Sequence, residues 1–235
     1  MATITADDNW RNDYRVLSVI GIGHFMSHFY YMVLPPLFVQ MREAFGVSYV
    51  ELGTLIALMS AASAIVQVPI GFLVDRLGAR IVLIVGMLIT AASTALIGLA
   101  PSFWLVVALA FCAGVGNAVF HPTDYAILNA SISARRMGRA FSIHTFAGHL
   151  GTAAAPVAMV GLTALFGWRI ALVAAGAFGV VALGMMASQF GAMREDLAPA
   201  SAGSKKARAA DDPDRSQGGL ALLLSRPMLM FFVFF

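Results

Sequence analysis

Charged side chains are scarce in this sequence. Asp, Glu, Lys and Arg together make up 11% of its 235 residues and hydrophobic residues 60%, against about 25% charged and about 45–50% apolar in soluble domains. That shortage, with a mean hydropathy of +0.82, excludes a water-soluble fold of this size. Cysteine is scarcer still. Cys112 is the only one and stands in an apolar run, which excludes a disulfide framework and a Cys-rich zinc site. The segment 1–14 lacks a short apolar core with a small-residue cleavage site and carries Asp7, Asp8, Arg11 and Asp13, so no cleaved signal peptide is expected. The net charge of +3 does not point to nucleic acid, because the basic residues sit in short segments between apolar runs, where they act as topology signals.

Long apolar runs are what the sequence has in abundance. A bilayer core of about 30 Å takes about 20 apolar residues of helix, and a charge at the helix centre costs about 2.5–3.5 kcal/mol. Runs free of Asp, Glu, Lys and Arg cover 16–41, 52–74, 81–123, 140–168 and 170–193. The third is long enough for two helices and divides at Ala100-Pro101-Ser102. The pattern predicts an all-α membrane protein with six transmembrane helices, spans 1 to 6, over 16–40, 51–74, 81–100, 103–128, 140–164 and 169–190. With 1–15 inside, Arg11, Arg15, Arg76, Arg80, Arg135, Arg136 and Arg139 are cytoplasmic and only Arg42 and Arg169 face outward, which satisfies the positive-inside rule. Residues 191–219, rich in Ala, Ser, Asp, Lys and Arg, read as a flexible cytoplasmic linker. Residues 220–235 turn apolar again and read as the start of a seventh helix, which makes the expected chain the N-terminal half of a longer protein.

Two internal correspondences suggest an inverted repeat of three helices, a device of secondary transporters. Gly78-Ala79-Arg80-Ile81-Val82-Leu83 opens span 3 and Gly167-Trp168-Arg169-Ile170-Ala171-Leu172 opens span 6, sharing G-x-R-I-x-L. Spans 1 and 4 each carry G-x-G, at Gly21/Gly23 and Gly114/Gly116. Neither continues to a third glycine after a strand, so no nucleotide site is indicated.

Between spans 2 and 3 stands Gly71-Phe72-Leu73-Val74-Asp75-Arg76-Leu77-Gly78-Ala79-Arg80. Gly71 would permit close approach of another helix, Gly78 a positive-φ turn, and Asp75 with Arg76 and Arg80 switchable ion pairs at the cytoplasmic rim. This loop resembles the G-x-L-a-D-r-x-G-r-r motif of the major facilitator superfamily. Arg136-Met137-Gly138-Arg139-Ala140 and Gly167-Trp168-Arg169 are similar to that family too. The resemblance implies its six-helix N-domain, a 3+3 inverted repeat, and a conformational switch at Gly71, Asp75, Arg76, Gly78 and Arg80 that contacts the second half. Gly114-Val115-Gly116-Asn117-Ala118-Val119-Phe120-His121-Pro122 is similar to a segment of fosmidomycin-resistance-type efflux proteins. Two departures stand out: Ala110 replaces an arginine the family often carries in helix 4, and Gly151 to Pro156 only partly matches the antiporter motif of helix 5.

All five histidines, His24, His28, His121, His144 and His149, fall in spans 1, 4 and 5, and ionisable groups inside a membrane usually face a cavity or a partner. His24 and His28 share a helix face, extended by Tyr31, and Asn117, His121 and Asp124 share another. Pro122 favours a kink. The expected substrate and proton cavity comprises His24, His28, Tyr31, Asn117, His121, Asp124 and His149. His144 is expected to matter less, being nearer the cytoplasmic end. For Asp124 two readings stand: proton carriage, or a salt bridge to Arg135, Arg136 or Arg139. An i, i+4 histidine pair can bind zinc, but no intramembrane carboxylate or cysteine stands at matching spacing beside it, so no metal is expected. The small-residue faces at Gly148/Thr152 and Gly151/Ala155 read as helix packing.

No cofactor is expected, nor an enzyme, because no nucleophile, base and orienting group converge. The resemblance implies alternating-access transport of a small molecule across the bacterial inner membrane, as proton-coupled efflux of a drug or anionic compound. Proton-coupled metabolite uptake and a non-transporting receptor or assembly protein are the alternatives. The implied partners are substrate, protons, the lipid bilayer and the missing C-terminal half.

Overall fold

Proline, glycine and capping residues cut the apolar runs into helices. In the computed structural model, which describes residues 10–192, these are α1 (Trp10–Tyr31), α2 (Phe38–Phe45), α3 (Tyr49–Leu77), α4 (Ala79–Leu99), α5 (Phe103–Asn117), α6 (Phe120–Ser131), α7 (Met137–Phe166) and α8 (Trp168–Ala187), and the described residues include no strand. Six stretches are long and apolar enough to cross a membrane. Span 1 comprises α1 and α2, span 4 comprises α5 and α6, and α3, α4, α7 and α8 are spans 2, 3, 5 and 6. The linker and the start of a seventh helix read from the sequence lie outside the described residues.

The helices overrun the charge-free stretches, since a charge costs little once it reaches the membrane surface. Asp75 and Arg76 thus lie in the last turns of α3. Ser48 starts that helix with a capping box to Glu51, and Ser102 accepts from the Leu105 amide to start α5. Span 1 is not the continuous helix expected over 16–40: a 3₁₀ turn at Pro35–Leu37 separates α1 from α2, because each proline removes a backbone donor. Span 4 breaks between Asn117 and Phe120, where Pro122 leaves the Ala118 carbonyl without a helical donor. Single glycines join α3 to α4 and α7 to α8: Gly78 at φ 85° and Gly167 at φ 82°, a region that favours glycine.

Packing follows the three-helix repeat. Span 1 packs on span 5 as span 4 packs on span 2, and spans 3 and 6 pack on each other. The paired G-x-G glycines obey the same relation. Gly21 faces Ala147 of span 5 and Gly114 the Met59 backbone of span 2, while Gly23 faces Met186 of span 6 and Gly116 faces Gly86 and Thr90 of span 3. At one end, Phe45 meets the rings of Phe103 and Trp168 at 6.3 and 5.8 Å. There Arg169 donates to the carbonyls of Gly98 and Ala100 at 3.2 and 2.8 Å, closing the C-terminus of α4. At the other end Asp13 pairs with Arg136, Arg139 donates to the Tyr14 hydroxyl at 3.4 Å, and Arg15 donates to Gln189 at 2.7 Å. The turns after spans 1, 3 and 5 therefore lie together, opposite the chain start and the turn after span 4.

Candidate functional site

Where spans 1, 4 and 5 meet, a carboxylate is enclosed by histidines. Asp124, on α6, is fully buried. His144 of α7 brings Nε2 to 3.1 Å from Asp124 Oδ2, and His24 of α1 brings Nδ1 to 3.6 Å from the same oxygen. The two imidazoles stack with centroids 3.7 Å apart. His28 and His121 complete the group, their rings 4.5 and 5.2 Å from that of His24. His24 and His144 are as deeply buried as the core around them. An intramembrane carboxylate is expensive, and paired imidazoles on a closed protein face are what make it tolerable here.

The backbone explains how these side chains share one space. His144, Gly148 and Thr152 lie at i, i+4 and i+8 of α7 and form the face turned to α1. Gly148 is open because a Cβ there would meet His24 Cδ2 at 2.5 Å and His28 Cδ2 at 3.0 Å. Thr152 donates its hydroxyl to the Gly148 carbonyl at 3.2 Å and lies 3.2 Å from His28 Nδ1. With the hydroxyl proton on the Gly148 carbonyl, Nδ1–H of His28 would donate to Thr152 and its lone pair would fall on Nε2.

Asn117 stands at the end of α5 and fixes the break in span 4 to span 1. Its Oδ1 accepts from Ser27 Oγ at 2.6 Å and its Nδ2 donates to the Ser27 carbonyl at 2.9 Å. Tyr31 is half-buried and hydrogen-bonded to Ser63 of α3.

The structure thus brings His24, His28, His121 and Asp124 together and sets Asn117 and Tyr31 on neighbouring contacts. It does not add His149, whose side chain is exposed. His144 belongs at the centre instead, a residue that depth along the helix had demoted. Asp124 does not pair with arginine: Arg136 is taken by Asp13 and the partners of Asp124 are His144 and His24. Gly148 and Gly151 both lie where α7 packs on α1, Gly148 against the His24 and His28 side chains and Gly151 against the Phe25 backbone. The spacing argument against a metal considered one helix at a time, and the fold supplies the carboxylate from another.

In the loop between spans 2 and 3, Asp75 and Arg76 are exposed and Arg80 is half-buried. Among the described residues Asp75 makes no ion pair, and a Cβ on Gly71 would meet nothing within 4 Å. Among the described residues, then, Gly71 makes no close approach and Asp75 no ion pair.

Comparison with known proteins identifies the bundle. Residues 20–235 match the profile of the Major Facilitator Superfamily, and the chain belongs to that family. It is 30% identical over 139 residues to the "Probable L-galactonate transporter" of Escherichia coli K12, covering 59% of this chain and 31% of that protein. It is 25% identical over 157 residues to the fosmidomycin resistance protein of the same strain, covering 67% and 38%. With the "Probable sulfoacetate transporter SauU" of Cupriavidus necator it shares 30% over 163 residues, covering 69% and 38%. The chain thus spans 31 to 38% of the length of these relatives. The fold matches the crystal structure of a bacterial homologue of the human lysosomal transporter Spinster, inward-facing and unoccupied, with TM-score 0.64 at 20% identity, over 76% of this chain and 43% of that one. The chain is a multi-pass membrane chain of a transporter family.

Proposed function

We propose that this chain supplies one six-helix bundle of a secondary transporter in the bacterial inner membrane, which moves a small organic anion or drug-like compound outward by alternating access, driven by protons. The buried Asp124 with its histidines carries the reading, since an intramembrane acid paired this way is the usual mark of an ion or substrate pathway. The break in span 4 beside it supports a midplane site, as discontinuous helices line such sites in transporters. The N-terminal segment and the 191–219 linker face the cytoplasm in this reading, and a second bundle completes the cavity. The exposed Asp75 and the open Gly71 suit a loop whose partner lies in that second bundle. Uptake is the competing direction, favoured by the names of two relatives, a galactonate and a sulfoacetate transporter, and by Ala110 in place of the familiar arginine.

The test uses the complete protein in proteoliposomes with an imposed pH gradient and galactonate, sulfoacetate and fosmidomycin as candidate substrates. The expected result is gradient-driven movement of at least one of them, abolished by an uncoupler, with Asp124→Asn at equal abundance reducing the driven rate at least about tenfold. Transport indifferent to the gradient and to Asp124→Asn would remove protons and this cluster from the mechanism. The direction of the driving gradient decides between export and uptake.

A further inference from the structure

We propose that His24, Asp124 and His144 form a binding site for a divalent transition metal of the zinc type. Each offers one ligand atom, and the three atoms lie within 4.8 Å of one another. Zinc bonds to nitrogen and oxygen of about 2.0–2.2 Å set neighbouring ligands of a tetrahedron about 3.3–3.6 Å apart. The two measured separations, 3.1 Å from His144 Nε2 and 3.6 Å from His24 Nδ1 to Asp124 Oδ2, bracket that spacing. The three residues come from three different helices, so an ion would tie spans 1, 4 and 5 together.

Two further observations point to an absent ligand. Asp124 Oδ1 and His24 Nδ1 are buried without a hydrogen-bond partner, although buried polar atoms are ordinarily satisfied. A carboxylate is also costly in this medium, and a dication bound beside Asp124 would compensate its charge. The donor set of two nitrogens and one oxygen suits zinc, cobalt or nickel, whereas magnesium and calcium take oxygen ligands. His28 and His121 lie beside His24, their ring centroids 4.5 and 5.2 Å from its own, and stand outside the three-residue group. The stacked rings of His24 and His144 each present a nitrogen to Oδ2.

The complete protein, purified without a polyhistidine tag and stripped with chelator, is titrated with Co²⁺, whose visible bands report tetrahedral coordination. The expected result is one such ion per protein, displaced by Zn²⁺ and not by excess Mg²⁺ or Ca²⁺. Asp124→Asn and His144→Gln should each weaken binding at least about tenfold. Because either variant could disturb folding, His144→Cys in a Cys112→Ser background supplies a positive signature: binding persists and gains a thiolate-to-cobalt charge-transfer band. Absence of tetrahedral bands overturns the site, as does their survival in Asp124→Asn and His144→Gln, or a cysteine variant without the new band. The readout is binding in the resting protein, so its failure leaves the proton-driven reading standing, and failure of gradient-driven transport leaves the metal site standing.

Discussion

Gly148 decides where two histidines can lie. A methyl group there would occupy the space of the His24 ring, 2.5 Å from Cδ2 and 2.6 Å from Nε2, and must push that ring away from Asp124 or α7 away from α1. Overpacking of this kind costs about 1–3 kcal/mol, which a membrane bundle can survive, but it separates His24 from the carboxylate. Gly148→Ala should therefore insert at near-normal abundance and lose transport per molecule by at least about tenfold. Gly161→Ala, where a Cβ meets nothing within 4 Å, should leave the rate unchanged. Equal rates for the two variants would show that the site does not depend on this contact. Part of the site was legible residue by residue: i, i+4 spacing put His24 with His28, and i, i+4, i+7 spacing put Asn117, His121 and Asp124 on one face. The choice of His144 over His149 was not, because depth within the membrane says nothing about which face of a helix meets its neighbour. The usable signal was the series His144, Gly148, Thr152, in which a small residue flanked by polar ones marks a close and polar approach.

At the scale of the helix, composition was enough to count spans, because a charge in the middle of a bilayer is too costly to hide. Helix ends and breaks were harder. Charge-free runs stop short of the true ends, and Pro35 and Pro36 interrupt span 1 even though the run stays apolar. The paired glycines were visible as repeats, but their partners became visible only in the fold. Gly116 and Gly86 show how tight that packing is: a Cβ on either would meet the other's carbonyl oxygen at 2.7 Å. Gly116→Val should force spans 3 and 4 apart and shift the break in span 4 that carries Asn117. A loss of stability of about 1–3 kcal/mol is expected, measured as a lowered unfolding temperature in detergent, with Gly161→Val as the neutral control. A Gly116→Val protein as stable as the parent would mean that the two helices do not cross this closely.

For the whole molecule, arginines and aromatic contacts assign the same two ends. Arg11, Arg15, Arg135, Arg136 and Arg139 gather where the chain begins and where span 4 ends, tied by the Asp13–Arg136 pair and the Arg15–Gln189 bond. Arg42 and Arg169 stand at the opposite end, where Arg169 caps α4 and its guanidinium lies 4.4 Å from the centre of the Trp168 ring, an interaction that holds a cation in place without a counter-charge. Positive charge near span ends is retained on the cytoplasmic side, so the arginine-rich end should face inward and the Phe45, Phe103 and Trp168 end outward. Ser102 and Ser133 are exposed at the two ends of span 4 and make a direct pair of reporters. In the complete protein with Cys112→Ser and any other cysteine removed, Ser102→Cys should react with a membrane-impermeant maleimide added to intact spheroplasts. Ser133→Cys should react only after the membrane is opened. The reverse pattern would invert the molecule and bring the Asp75 loop to the outer face, and the assignment of that loop to a cytoplasmic switch would fall with it.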